Sequence, residues 1–88
     1  MNRADASSDY ALQLLVLDRR DDRLNMARYY VLSIEPSLFG EPALVREWGR
    51  IGSRGRRLSN LHTTPAAAAE ALEAWLARKL LRGYRMRA

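Results

Sequence analysis

The segment RYYVLSIE, residues 28–35, gives the clearest indication of the fold. It is rich in aromatic and β-branched residues, and Tyr30, Leu32 and Ile34 occupy alternate positions, as in a strand with one face toward a core. The preceding segment YALQLLVL, residues 10–17, is short and mostly apolar, which favours a strand packed on both faces. Further along, ALVREWGRI at residues 43–51 predicts a third strand and RRLSNLH at residues 56–62 a weaker fourth one.

The segments between these strands are rich in charge, proline and glycine. DRRDDR, residues 18–23, predicts a charged loop, and PSLFGEP, residues 36–42, predicts a turn. GSRG, residues 52–55, predicts a hairpin turn, because both of its glycines can adopt a positive φ. The four strands are therefore expected to follow one another in an antiparallel meander.

The last part of the chain has the composition of a helix. Thr64 before Pro65 is typical of a helix N-terminus, and residues 65–82 consist mainly of Ala, Leu, Glu and Arg. Gly83 is expected to end the helix. Large apolar residues at helical spacing predict a stripe buried against the sheet: Leu72, Trp75, Leu76 and Leu80. The predicted fold class is α+β, with an antiparallel sheet of about four strands and one C-terminal amphipathic helix on one face.

Length and composition limit what the chain can do. Its 88 residues predict one domain at residues 10–85, between a disordered N-terminal tail at 1–9 and a C-terminal tail at 86–88. Without cysteine and with a single histidine, His62, the chain has no disulfide, no thiolate metal site and no paired-histidine chemistry. We therefore expect no enzyme activity, no catalytic residue, no cofactor and no metal.

Neither a membrane span nor a secretory signal is visible in the sequence. No apolar run approaches the ~18 residues that a membrane-spanning helix needs, and the N-terminus lacks an apolar core segment. These features predict a cytoplasmic protein with no membrane partner. The chain is also expected to be a monomer.

The positive charge is concentrated in two segments. The chain has 15 basic and 10 acidic residues, for a net charge of +5. Residues 46–57 hold five arginines and one acid, and residues 78–88 hold five bases and no acid. Two such clusters on a small domain can merge into one positive surface, which is typical of proteins that bind polyanions. The alternative is that both clusters are simply solvated faces.

The third predicted strand combines basic and aromatic residues on one face. Alternation places Arg46, Trp48 and Arg50 together. A tryptophan flanked by arginines suits nucleic acid, because the indole can stack on a base or sugar while guanidinium groups hold phosphates. The alternative interpretation is a core tryptophan whose edges are covered by the two arginines. Trp75 belongs to the apolar stripe of the helix and is predicted to be core.

The sequence around Trp48 resembles a known family. Trp48-Gly49-Arg50 followed by IGSRGR, residues 51–56, resembles the signature of the WGR domain. RYYVLSIEPSLFG at residues 28–40 and LVREWGRIGSRG at residues 44–55 are similar to the small stand-alone bacterial members. The closing helix with Lys79, followed by Gly83-Tyr84, resembles the end of the family's domain. The resemblance covers about residues 10–85.

This resemblance implies a fold and a function. The WGR fold is an antiparallel sheet with a helix on one face, and in DNA-dependent poly(ADP-ribose) polymerases the domain binds DNA near a strand break and contacts neighbouring domains. The motif tryptophan, which packs against the DNA end there, corresponds to Trp48. The motif arginine, at the junction of DNA and other domains, corresponds to Arg50. The polymerases often carry an asparagine shortly before the tyrosine pair, whereas this chain has Ala27 and Arg28 there and its nearest asparagine is Asn25.

We therefore expect a non-enzymatic nucleic-acid-binding module. DNA, as a duplex or at duplex ends, is the favoured ligand, and RNA is an alternative. Trp48 is expected to stack while Arg46 and Arg50 flank it. Three further arginines are expected to reach phosphates from the hairpin: Arg54, Arg56 and Arg57. The alternative is a protein–protein interaction module that uses the same basic face against an acidic partner.

Overall fold

Five strands and one helix form the described part of the chain, residues 14–87 of a computed structural model. The strands are β1 (Leu14–Asp21), β2 (Met26–Pro36), β3 (Pro42–Arg50), β4 (Arg56–Leu61) and β5 (Arg85–Met86), and helix α1 (Pro65–Leu81) lies between β4 and β5. The sheet has the order β4-β3-β2-β1-β5, and all neighbouring strands are antiparallel. The predicted α+β class is confirmed. The predicted tail at residues 1–9 lies outside the described residues.

Strands β1 and β5 differ from the sequence-based expectation. The predicted loop at residues 18–23 is wrong in its first part, because β1 continues to Asp21, which pairs with Met26. A single 3₁₀ turn (Asp22–Leu24) and Asn25, whose φ is 52°, make the connection to β2. Strand β5 was not predicted, since two residues show no periodicity. It pairs Met86 with Leu17 of β1.

The core lies between α1 and one face of the sheet. Cross-strand pairing aligns Leu17 with Tyr30, and Tyr30 in turn with Trp48, so these side chains share that face. The buried cluster contains Leu17, Tyr30, Leu32, Ile34, Leu44, Ala68, Leu72 and Tyr84. The helix begins as predicted, with the Thr64 hydroxyl oxygen accepting a hydrogen bond from the Ala67 backbone N–H at 3.0 Å. It ends before Gly83, whose φ is 97°.

The apolar stripe of α1 is buried only in its first half. Leu72 is buried, and Trp75 and Leu76 are half-buried against the core. The prediction that Leu80 is buried is wrong, because 45% of this residue is exposed. At this turn of the helix Lys79 lies toward the sheet instead, with its ammonium group 4.4 Å from the Tyr30 ring centre. At this turn the side of α1 that faces the sheet is therefore that of Lys79, and Leu80 lies beside it on the exposed side.

The turn between β3 and β4 depends on two closely packed glycines. A side-chain carbon added to Gly49 would lie 2.8 Å from the Gly55 Cα, and one added to Gly55 would collide with the Trp48 carbonyl and the Tyr29 hydroxyl. Gly52 has the positive φ expected in the turn, at 91°, whereas Gly55 does not. Gly55 was expected in the turn because glycine can adopt a positive φ. Its observed role is different, since the absence of a side chain at Gly55 lets the two strands approach closely.

Replacing Gly55 by alanine is expected to lower the free energy of unfolding by about 1–3 kcal/mol, because backbone atoms must move to admit the methyl group. Urea denaturation of the Gly55→Ala variant measures this loss. The control is Arg54→Ala, a change at the exposed neighbouring position that should stay within about 0.5 kcal/mol of the parent. Equal unfolding midpoints for the two variants would contradict the described packing of the turn.

Candidate functional site

Three arginines form a row across the sheet beyond the helix-covered core. Arg19 of β1 lies opposite Arg28 of β2, and Arg28 lies opposite Arg50 of β3. Like charges directly opposite each other destabilise a sheet. Within residues 14–87 none of the three belongs to an ion pair, and the basic partners in the pairs found there are Arg20, Arg57 and Arg87. This arginine row (Arg19, Arg28, Arg50) is therefore a surface whose charge an anion would neutralise.

The next row toward the core is aromatic. Tyr30 and Trp48 lie opposite each other on β2 and β3, with ring centres 5.8 Å apart and an interplanar angle of 16°. Tyr84, which follows the helix, meets Tyr30 edge-on at 6.0 Å. Tyr30 is buried, whereas Trp48 is half-buried. Trp48 is thus partly exposed, as the binding interpretation requires, although its packing on Tyr30 also contributes to the core.

Arg46 connects the sheet to the helix. Its guanidinium carbon lies 5.4 Å from the Trp48 ring centre and 3.9 Å from the Trp75 ring centre. Its Nη1 donates a hydrogen bond to the Tyr30 hydroxyl oxygen at 3.1 Å. Its buried Nε has no partner among the described residues. Arg46 therefore acts mainly as a spacer that fixes the two indoles relative to each other.

Trp75 belongs to the site as well as to the core. The sequence placed it in the apolar stripe, but it is half-buried, with Arg46 on one side and Arg78 at 4.5 Å from its ring centre. Arg78 follows Trp75 by three residues on the helix, which is the spacing of neighbours on one helix face. That spacing was the one available indication that Trp75 has a polar edge.

The ammonium group of Lys79 lies close to two aromatic rings and to several arginines. Its ammonium nitrogen lies 4.4 Å from the Tyr30 ring centre and 5.5 Å from that of Tyr84. Burial lowers the pKa of Lys79 below its usual value, and the charges of Arg82, Arg46 and Arg78 lower it further. An anion bound nearby would stabilise the charged ammonium and oppose this shift.

These side chains line a half-open cavity of about 730 Å³ at the end of the sheet. Six basic residues line it: Arg19, Arg28, Arg46, Arg50, Lys79 and Arg82. Four aromatic residues line it as well: Tyr30, Trp48, Trp75 and Tyr84. No aspartate or glutamate is found in its described lining. Arg46 and Arg50 come from the first basic cluster of the sequence and Lys79 and Arg82 from the second, so the two clusters meet at one site.

Of the six predicted site residues, the structure brings three together. Trp48, Arg46 and Arg50 line the cavity. Arg56 lies opposite Trp48 on β4, on the same face of the sheet but outside the cavity lining. Arg54 is exposed in the turn before β4.

Arg57 lies on the opposite face of the sheet. It is paired with Glu47 across β3 and β4, and its guanidinium lies 3.2 Å from the Glu35 carboxylate and 3.7 Å from that of Glu47. Because side chains alternate along a strand, Arg56 and Arg57 cannot share a face of β4. The expectation that Arg57 extends the surface around Trp48 therefore does not match the geometry.

Neither a metal cluster nor a membrane-spanning helix is found in the described chain. No group of three His, Cys, Asp or Glu side chains there is arranged to hold a metal ion. The helix between residues 65 and 81 does not have the length and apolar character that crossing a membrane would require.

Comparison with known proteins identifies the family. The family model of the WGR domain matches residues 13–88. The chain is also similar to "Uncharacterized protein y4dW" of Sinorhizobium fredii (strain NBRC 101917 / NGR234), with 44% identity over 73 residues. That match covers 83% of this chain and 36% of the relative, so the chain spans about a third of the relative's length. No solved structure matches the chain. With a family match over nearly the whole chain, and Trp48 and Arg50 of the motif in the cavity wall, this protein belongs to the WGR domain family.

Proposed function

We propose that this WGR domain is a non-enzymatic module that binds nucleic acid, with DNA as its ligand. The observation that carries the proposal is the cavity lined by six basic side chains and four aromatic ones, with no aspartate or glutamate in its described lining. The WGR domain is a binding module, and its family is associated with nucleic-acid binding in poly(ADP-ribose) polymerase-like proteins.

The two neighbouring rows of side chains suit the two parts of a nucleotide. Arg28 and Arg50 each lie two positions along their strand from the aromatic row, a separation of about 7 Å. The planar guanidinium groups of the arginine row hold phosphates with paired hydrogen bonds. The indole of Trp48 stacks on a base or sugar. Arg56, and more distantly Arg54, extend the positive surface along the hairpin.

The position of the cavity between the helix and the sheet favours the end of a DNA strand over the middle of a duplex. Arg46 of the sheet and Lys79 of the helix both line it, so a terminal nucleotide that enters the cavity contacts both elements. This geometry supports duplex ends as the preferred form of DNA.

Titration with two DNA ligands of the same sequence tests the proposal. One is a blunt duplex with 5′-phosphates, and the other is a closed dumbbell without ends. We expect tighter binding of the blunt duplex, with log affinity falling linearly with log salt by about 0.9 per phosphate contacted. Equal affinities would contradict end binding, and the absence of binding to either ligand at low salt would overturn the proposed function.

Trp48→Ala is expected to weaken DNA binding by about 1–3 kcal/mol, because a stacking surface is lost. The same change also removes the stacked contact with Tyr30, so thermal unfolding must be measured alongside binding. Trp48→Phe is the matched control, since it keeps a ring on Tyr30 and should retain most of the affinity. A folded Trp48→Ala variant with unchanged affinity would remove Trp48 from the interface.

An acidic protein partner is the alternative ligand for the same face. Carboxylates would neutralise the arginine row as phosphates do, but they offer no flat ring to the aromatic lining, and this favours nucleic acid. A poly-glutamate peptide added to the DNA complex distinguishes the two. We expect the peptide to displace DNA only weakly. Displacement of DNA by the peptide at the concentrations at which a competing duplex displaces it would favour the protein partner.

A further inference from the structure

We propose that the cavity binds a single nucleoside carrying two or more linked phosphates, with a nucleoside diphosphate as the smallest ligand and no polynucleotide required. This inference goes beyond the proposed function, because it concerns the same cavity but a small ligand that is not part of DNA.

The dimensions of the cavity suit a small ligand. Its volume of about 730 Å³ falls within the range of roughly 300–1,000 Å³ that is typical of sites for small organic molecules. The helix residues Trp75 and Lys79 contact the sheet residues Arg46 and Tyr30 directly, and these contacts join the helix and the sheet in one wall of the site.

The charge of the cavity exceeds what one phosphate group can neutralise. A phosphate monoester carries about −1.5 to −2 at neutral pH, whereas six basic side chains line the cavity. The arginine row spans two strand spacings, or about 9.5 Å from β1 to β3. Linked phosphates can contact arginines at both ends of this row, and one phosphate group leaves one end without a partner.

The fold holds Arg19 at the β1 end of the row. A side-chain carbon added to Gly83 would lie 3.2 Å from the Arg19 Nε, so the Arg19 side chain packs against the end of the helix. Cations are stabilised near the C-terminal end of a helix by its partial negative charge. Arg82 reaches the same cavity from the last helical turn. The phosphate-binding part of the site is therefore built by both the sheet and the helix.

The aromatic side chains of the cavity offer a stacking surface for the base of the nucleoside. Trp48 is half-buried in the cavity wall, and the buried Tyr30 ring supports it from the sheet. Stacking on an aromatic side chain is tolerant of base identity. The lowered pKa of Lys79 supports an anionic ligand further, because this ammonium lies among like charges with no acid in the described lining.

Isothermal titration calorimetry on the full chain tests the inference with ADP, AMP, adenosine and pyrophosphate as probes. We expect ADP to bind at least tenfold more tightly than AMP, pyrophosphate or adenosine, and to displace the blunt 5′-phosphorylated duplex. AMP binding as tightly as ADP would overturn the requirement for linked phosphates. Pyrophosphate binding as tightly as ADP would overturn the role of the nucleoside.

Two matched variants show whether ADP occupies this cavity. Arg50→Gln should weaken ADP binding at least tenfold, because it removes one end of the arginine row. Arg57→Gln removes the same charge from the opposite face and should leave ADP binding unchanged. Circular dichroism confirms that both variants are folded. Equal effects of the two variants would show binding by net charge alone and would overturn the inference.

The same titrations separate this inference from the proposed function. Binding of the blunt duplex without binding of ADP would overturn the inference and leave the proposed function in place. Binding of ADP without binding of any nucleic acid would support the inference and overturn the proposed function. Failure of both ligands to bind at low salt would overturn both.

Discussion

Replacing Arg28 and Arg50 together by glutamine should weaken DNA binding and, at the same time, stabilise the folded domain. At low salt the loss of affinity should reach roughly 100-fold, at about 1.5 kcal/mol for each charged hydrogen bond removed. The slope of log affinity against log salt should flatten by about 1.8, since about 0.9 is lost per phosphate contact. The free energy of unfolding should rise, because the two cations lie directly opposite each other on neighbouring strands.

The matched control is the double change of Arg20 and Arg57 to glutamine. It removes two charges as well, but from side chains that pair with Asp18 and with Glu35 and Glu47. The salt slope of this variant should equal that of the parent, and its stability should fall by no more than about 1 kcal/mol per exposed ion pair. Equal flattening of the slope in both double variants would contradict a specific role for the arginine row.

The largest loss of stability is expected at Leu72. This side chain lies in the core between α1 and the sheet, so Leu72→Ala should lower the free energy of unfolding by about 2–5 kcal/mol. Leu80 lies eight residues further along the same stripe of the sequence pattern, yet 45% of it is exposed. Leu80→Ala should therefore stay within about 0.5 kcal/mol of the parent.

Urea denaturation followed by circular dichroism compares the two leucine variants under one condition. The expected pattern is a clear shift of the midpoint for Leu72→Ala and none for Leu80→Ala. Comparable shifts for both would mean that Leu80 is buried against the sheet, which would contradict its described exposure beside Lys79.

Features with a local cause could be predicted from the sequence. The alternation in residues 28–35 places Tyr30 and Leu32 on the core face of β2, and the capping pair Thr64-Pro65 marks the first turn of α1. Leu80 was predicted wrongly because helical spacing identifies a broad face of the helix but not which of two adjacent residues, Lys79 or Leu80, lies toward the sheet. Strand β5 forms because the chain returns to β1, a long-range contact that a two-residue segment does not reveal.

The site was predictable only in part, for a related reason. Alternation along β3 correctly grouped Arg46, Trp48 and Arg50. The contribution of Arg19 and Arg28 depends on the register of three strands, and alternation gives the face of each residue without its cross-strand partner. Arg57 was included because it lies in a basic cluster of the sequence, although the pleat directs it to the other face.

The short strand β5 also brings the two sides of residues 14–87 close together, which matters for redesign of the chain order. The Arg87 backbone N–H donates a hydrogen bond to the Val16 carbonyl, so the last described residue lies beside the strand with which the described chain begins. Because Val16 and Arg87 are held this close, a short linker can join the two sides of residues 14–87 in a circular permutant. The turn at residues 37–41, where Leu38 and Phe39 are exposed, is the natural place to open new termini, because cutting it breaks no strand pairing.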